Sequence, residues 1–448
     1  SSHLYLLYPA NDGDLELVPS SFLDALWKIA DVEDWRTGLP EVMTETIYSE
    51  DDLLYFLGEH SDEEIMTPLA GSLNNELRQT FDHMRHAAEV ERSRTSAASM
   101  PEYSGRILKQ LSELGQSTLE GFRNKVYSVT QLESYGACPF QYFADKVLRL
   151  NIIEDVEEGL SPIERGGFLH SLLFEFYVSR RDRKLPPLYD TDEKEFQQAV
   201  EELTNLARKK LDEFNIPDLF WDTEQELLLG TEQRRGILRE FLDAERERKL
   251  DVEPAYFEAA FGSMAGSRRN SDPSLSHEKS ILADKVKLRG KVDRIEVGKK
   301  NFTIIDYKSG KNIASKYDIE QGMSLQLPVY LYAVERILSE QLKRPVQPAA
   351  GLYYLLKTPV KEKLGIGSAE HRGSAFTVQR KSEQLLENDK ELNDIIALAI
   401  RYVNEYVDGI AKGEFPVQPK APERVCTYCS YQTVCRIQTF ITLQQPDL

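Results

Sequence analysis

Cysteine is scarce in this chain, with four among 448 residues, too few for a disulfide-built scaffold. Long apolar runs are missing as well. Stretches such as SLLFEFYV (171–178) and LPVYLYAV (327–334) fall far short of the ~20 residues that a membrane span requires. No charged-then-apolar leader opens the chain, so the expected location is the cytoplasm, with no membrane partner. No G-x-x-x-x-G-K-[ST] occurs, which leaves out the usual phosphate-cradling loop of an ATPase and a self-contained motor. Basic charge is in deficit: 55 Lys and Arg stand against 74 Asp and Glu, a net charge of −19. That balance argues at first sight against a phosphate-rich partner.

The deficit is uneven. Residues 1–100 carry 20 acidic and 6 basic side chains, a balance of −14, which leaves −5 for the other 348. Within that remainder SRRDRK (179–184), ARKK (207–210) and KVKLRGKVDR (285–294) are locally basic. Such runs are commonly solvated faces, and each is also a candidate phosphate contact. The length suits two to four domains. The opening SSHLYLLYP has no initiator Met, and the expectation is a piece of a longer polypeptide.

Residues 1–124 read as an acidic, mostly helical region, with helical apolar spacing in SFLDALWKIADV and LNNELRQTFDHM, and a loop at 91–105. A second unit, 125–448, begins near YSVTQLESYGACPF, where Thr130 and Glu133 have the form of a capping box. Long charged helices fill about 180–250. The period then changes to strands in AYFEAAFG, KVKLRGKVDRIEVG and NFTIIDYKSG, with a Gly/Ser-rich loop at 262–280. SLQLPVYLYAVERIL reads as helix, AAGLYYLLK as strand, EKLGIGSAEHRGS as loop, and LNDIIALAIRYVNEYVDGIAKG as a final helix before a Cys-rich tail. Helices before and after a short central sheet make this unit α/β.

If GKKN (298–301) joins two strands as a hairpin, Val297 faces Phe302, Ile295 faces Ile304 and Asp293 faces Asp306. Strand alternation puts these six on one face, with Lys308 just beyond Asp306. Opposed carboxylates repel. A divalent cation between them removes the conflict, and the lysine then orients water or offsets phosphoryl charge. The plainer reading is a wet hairpin end with a neutralising lysine. His170, in ERGGFLHSLLFEFY, lies on an apolar helix where a structural histidine is common, behind Gly166 and Gly167, which permit close backbone approach. Gln326 and Tyr330 stand four apart on the helix after the hairpin and can reach the same edge.

GGFLH, GKVDRIE, IIDYKSGK and QLPVY, in this order and spacing, resemble the RecB-like branch of the PD-(D/E)XK nucleases. The resemblance implies a mixed central sheet flanked by helices. It also implies Mg²⁺ or Mn²⁺ held by His170, Asp293, Asp306 and the backbone carbonyl of Tyr307. Lys308 is then the catalytic lysine alongside Asp293 and Asp306, with Gln326 and Tyr330 in support. Glu258, in YFEAAFG, resembles a recurrent family acid without an assigned ligand role.

Cys138 stands alone far upstream of Cys426, Cys429 and Cys435 in CTYCSYQTVC, which suggests one four-thiolate site. On ligand chemistry, structural zinc and an iron–sulfur cluster fit equally. One Cys before the nuclease motifs and C-x-x-C-x5-C after them resembles the [4Fe–4S] staple (426–435 with 138) of AddB-type nuclease domains and of CRISPR-adaptation exonucleases, with zinc the less favoured occupant.

The region at 4–26 resembles the segment that ends the helicase-like part of AddB-type subunits. The resemblance therefore implies a helicase-derived remnant at 1–124 and a nuclease hydrolysing DNA, mainly single strands taken from ends. It further implies an AddA-like partner subunit and a role in double-strand-break repair and recombination. Competing readings are a non-catalytic DNA-end-binding module and a free-standing CRISPR-adaptation-type exonuclease.

Overall fold

The computed structural model describes residues 11–12, 15–16, 18, 20–29, 49, 52 and 75–95, then 105–150, 161–213, 219–262, 271–275, 277, 279–310, 313–377, 382–427 and 429–435. Two compact units divide between Arg92 and Ser93. The first holds a small antiparallel pair, β1 (Asn11–Asp12) and β2 (Leu15–Glu16), helix α1 (Ser21–Ile29) and most of α2 (Asn75–Thr95). Helix α2 runs through Glu91–Thr95, where the sequence suggests a loop; 96–104 lie outside the described residues. The division falls well before 124/125, because α3 (Glu113–Glu120) and the turn after it bury Leu119 and Phe122 in the core of the second unit.

The second unit is built on an eight-stranded mixed sheet. Its strands are β3 (Val126–Ser128), β4 (Glu253–Phe261), β5 (Ile281–Ala283), β6 (Val286–Val297), β7 (Asn301–Lys308), β8 (Gln347–Leu355), β9 (Lys361–Ser368) and β10 (Leu385–Leu386), in the order β10-β9-β8-β7-β6-β3, with β4 and β5 also on β6. The expected hairpin register is present: Val297 pairs with Phe302 and Ile295 with Ile304. The β6–β7 ladder ends at Arg294 and Ile305, one pair short of Asp293 and Asp306.

Helices cover both faces. Over one lie α4 (Val129–Ala137), α10 (Gln326–Leu342) and α11 (Asp389–Ala411), whose Leu132, Leu331, Val334, Ile396 and Val403 pack on Ile295, Phe302 and Ile304. Over the other lie α5 (Pro162–Asp182), α6 (Glu193–Asp212), α7 (Leu219–Leu229) and α8 (Ile237–Glu247), with Leu172, Phe176, Phe196 and Phe241 against Ile305, Tyr307 and Leu352. Helix α6 shows how such elements arise from sequence. Asp192 and Glu195 form a capping box, Phe196, Ala199, Leu203, Ala207 and Leu211 make a buried stripe, and Lys209 and Lys210 oppose the dipole at its end. Helix α9 (Lys316–Glu320) precedes α10. Among the described residues no helix is long and apolar enough to cross a membrane.

Two local expectations change. Helix α4 is capped by a box of Ser128 and Gln131, two residues earlier than Thr130 and Glu133. The segment EKLGIGS, loop-like in sequence, is strand β9, with Leu352 opposite Leu364 and Gly351 opposite Ile366. Its glycines answer to packing. A Cβ on Gly365 would lie 2.2 Å from Leu327 Cδ1, and one on Gly367 would lie 2.9 Å from Ala350 Cβ, so helix α10 settles on this strand only where side chains are absent. Gly365→Val should therefore lower unfolding free energy by about 1–3 kcal/mol, read as a shifted chemical-denaturation midpoint. An unchanged midpoint would show that α10 does not press on β9 there.

Candidate active site and thiol cluster

The site forms where β6 and β7 part. Past Arg294 and Ile305, Tyr307 N donates to Asp293 Oδ2 at 2.8 Å, so a side-chain oxygen takes over from the ladder and the strands separate around it. Helix α5 reaches this opening. Ser161 and Glu164 box its N-terminus with Pro162 in the first turn, which sets His170 over the gap. Gly166 and Gly167 do not serve backbone packing as expected. Among the described residues a Cβ on Gly167 would meet nothing within 4 Å, and one on Gly166 only Ser309 Oγ at 3.5 Å. They instead keep the helix surface bare along a cavity of about 400 Å³, lined further by Ile163, His170, Phe174 and Lys291.

His170 Nδ1 lies 3.1 Å from Glu258 Oε1 and 3.3 Å from Asp293 Oδ1, and its Nε2 lies 3.2 Å from the Tyr307 carbonyl oxygen. Burial works against its protonation, but the Asp293 and Glu258 charges outweigh that and push it up to about 11. Asp306 accepts from Gln326 Nε2 at 2.6 Å, and its Oδ2 lies 2.7 Å from Lys308 Nζ. Lys308 also donates to Gln326 Oε1 at 3.3 Å. Burial, and then the Asp293 charge, raise the Asp306 carboxyl to about 7 in spite of the lysine. The repulsion inferred from the hairpin is thus present in three dimensions. Tyr330 packs edge-on against Phe261. Burial, and then Asp293 and Asp306, hold its phenol well above the ordinary range.

All of His170, Asp293, Asp306, Tyr307, Lys308, Gln326 and Tyr330 meet at this edge. Two further acids belong with them. Glu258 is buried on β4, opposite Asp293 between the pairs Phe257–Arg294 and Ala259–Val292. It adopts φ +49°, unusual for a non-glycine residue in a strand, and also pairs with Lys291. With His170 and Asp293 it forms a three-residue group whose ligand atoms lie within 4.8 Å of one another. Glu133, in sequence only a cap for its own helix, has a different role. Its Oε1 accepts from Leu325 N at 2.6 Å and Gln326 N at 2.8 Å, capping α10 from another helix and setting the start from which Gln326 reaches Asp306. Its Thr-x-x-Glu context imitates a local box, so the sequence carries no signal for this longer-range role.

The donor set of one imidazole, three carboxylates and a backbone carbonyl suits a hard divalent cation such as Mg²⁺ or Mn²⁺. Buried acids this close need positive charge among them.

The four cysteines are free thiols, Cys138 and Cys435 buried and Cys426 and Cys429 half-buried. Cys138 caps the C-terminus of α4. Burial, with Cys429 and Cys426 adding to it, pushes its thiol up to about 11. Burial, then Cys429 and Cys435, raise Cys426 as well. The thiols thus share one region. The tail bearing three of them is fastened to the rest: Lys420 N donates to Ala137 O at 3.0 Å and Arg424 to Asp318 at 2.6 Å.

The family model described as the PD-(D/E)XK nuclease superfamily matches residues 126–436. Among curated proteins, the chain is similar to several that are named as one of the subunits of an ATP-dependent helicase/deoxyribonuclease. That of Clostridium kluyveri is 25% identical over 363 residues, 70% of this chain and 30% of the relative. Those of Acetivibrio thermocellus and Moorella thermoacetica are each 25% identical, over 357 and 361 residues, 70% and 69% of this chain and 30% of each relative. The chain thus spans about 30% of the length of these relatives.

Glu258→Gln should weaken Mn²⁺ binding about 10- to 100-fold, measured by titration calorimetry on the folded variant. Unaltered affinity would exclude Glu258 from the cation's surroundings.

Proposed function

The chain belongs to the PD-(D/E)XK nuclease superfamily, and from that premise we propose that it hydrolyses DNA phosphodiesters with a divalent cation, as the nuclease portion of a helicase–nuclease subunit. The observation that carries this reading is the convergence of Asp293, Asp306 and Lys308 with His170 and the Tyr307 carbonyl around one buried point. The names of the relatives support DNA as the substrate and a helicase-bearing partner subunit. The family resemblance adds single strands delivered from DNA ends, and a 5′-phosphate product.

His170, Asp293, Asp306 and the Tyr307 carbonyl would hold the cation, with Glu258 beside them. When bound, it lowers the pKa of water and offsets the charge developing on the phosphate. The remaining work falls to the chain. Asp306 and Gln326 fix the Lys308 ammonium from two sides. From there the ammonium orients the attacking water and stabilises negative charge on the non-bridging oxygens. The water oxygen forms the new P–O bond in line with the sugar 3′-oxygen, which departs and takes up a proton. Glu133, holding the first amides of α10, keeps Gln326 in reach. A non-catalytic DNA-end-binding module would have no need of a lysine held this way beside paired acids.

The thiol group is proposed to hold a [4Fe–4S] cluster that ties α4 to the C-terminal tail. The resemblance of the four-cysteine pattern to the staple of AddB-type nuclease domains favours it over zinc, and cross-linking positions so far apart in the chain chiefly stabilises the fold. Anaerobically prepared protein should contain about four irons and four acid-labile sulfides. Cys435→Ser should lose them and melt at lower temperature, and one zinc with no iron would overturn the assignment.

Degradation of linear single-stranded DNA with Mg²⁺ or Mn²⁺ should be abolished by Asp306→Ala and cut about 100-fold or more by Lys308→Ala, with unchanged circular dichroism. Unfolding of both variants would identify Asp306 and Lys308 as a structural pair instead.

A further inference from the structure

The basic stretch at 285–294 divides between the two faces of β6. Arg294 turns inward, where it bonds Glu245 at 2.7 Å and also Glu296 in the core. Lys287, Arg289 and Lys291 alternate to the other face, the one that carries Asp293 into the active site, and Lys285 precedes them. Successive positions on that face are about 6.6 Å apart. Lys291 lines the active-site cavity with His170, so the row begins at the site and runs away from it.

The strands beside the row widen this surface. Val126 on β3 and Leu282 on β5 both pair with Lys287 in register. Val126 is 39% exposed and Leu282 56%, so apolar side chains flank the cation on each side. Ser128 pairs with Arg289 one step nearer the site. Four cations of the other two basic stretches are committed elsewhere. Arg180 donates to Pro186 O, Arg181 and Arg183 pair with Asp272 and Glu202, and Lys210 donates to Ser171 Oγ. Among the described residues Lys285 and Lys287 have no carboxylate within ion-pair distance.

We propose that this exposed β3-β6-β5 face is the track that guides an extended single strand of nucleic acid into the active site. The exposed Lys285 and Lys287 ammoniums meet phosphates of the strand as it approaches the site, and Val126 and Leu282 lie against the bases or sugars. The proposal rests on the nuclease reading and deepens it. Charge complementarity and continuity with the site select this occupant: a row one side chain wide, spaced regularly along a strand and ending beside the acids, follows a single backbone. A protein partner covering the apolar residues would leave the cations without purpose.

The test uses the full chain carrying Asp306→Ala and a fluorescent oligothymidylate of about twenty nucleotides, followed by anisotropy across salt concentrations. Adding Lys285→Glu and Lys287→Glu should weaken binding at least tenfold near ~0.1 M salt. It should also make the log–log salt slope shallower by about 1.4, the value for two lost phosphate contacts on a single strand. Lys194→Glu with Lys390→Glu, the same charge change on other elements, should leave both unaltered. Equal effects from the two pairs, no effect from the β6 pair, or no binding at all would overturn the track. The nuclease reading is scored apart, by Mn²⁺-dependent hydrolysis of thymidine 5′-(p-nitrophenyl phosphate), too short to reach Lys287. Hydrolysis with unaltered oligonucleotide binding sinks the track alone. Binding that follows the row without hydrolysis keeps the track and sinks the nuclease reading.

Discussion

Three carboxylates, Glu258, Asp293 and Asp306, are buried at one edge of the sheet, and much of the surrounding structure serves to make that tolerable. An uncompensated buried charge costs several kcal/mol even after relaxation. Each acid is therefore given partners, at least one of them from another element: Lys291 and His170 for Glu258, His170 and the Tyr307 amide for Asp293, Lys308 and Gln326 for Asp306. The compensation is incomplete, as the raised Asp306 carboxyl shows. That residual demand for positive charge supports the proposal that a cation binds there.

The opposite face of β6 and β7 carries a second, closed set of charges. Arg294 bonds Glu245, Glu296 and the Tyr177 hydroxyl, while Arg248 joins Glu296 at 2.6 Å and Glu362 at 2.5 Å. Because Arg294 follows Asp293 and Glu296 follows Ile295, strand alternation braces the catalytic edge from behind. The helices spanning 193–247 supply Glu245 to this set. Glu133 links in the thiol region: it lies on α4, which ends at Cys138, and it holds the N-terminus of α10. Fastening the C-terminal tail to α4 and to α9 thus stiffens the support of Gln326.

The hairpin was legible because its evidence is local. A four-residue connection and period-two alternation are enough to bring Asp293 and Asp306 to the same end with Lys308 beyond. Strand β9 was hidden by its glycines, which mark loops in sequence but here mark the seat of Leu327. The cap of α4 at Ser128, in place of the expected Thr130, follows from the path of β3 into that helix.

By itself, the sequence determined the α/β order of elements, the register of the central hairpin and the identity of its acids and lysine. These follow from periodicity and chain connectivity. Tertiary structure alone decided that the ladder stops before Asp293, that Glu258 and Glu133 join the site, that Gly166 and Gly167 border an open cavity, and that Lys287 faces solvent while Arg294 is sealed inside. Each depends on which distant segment fills the space beside a residue, and that depends on the packing of elements far apart in the chain.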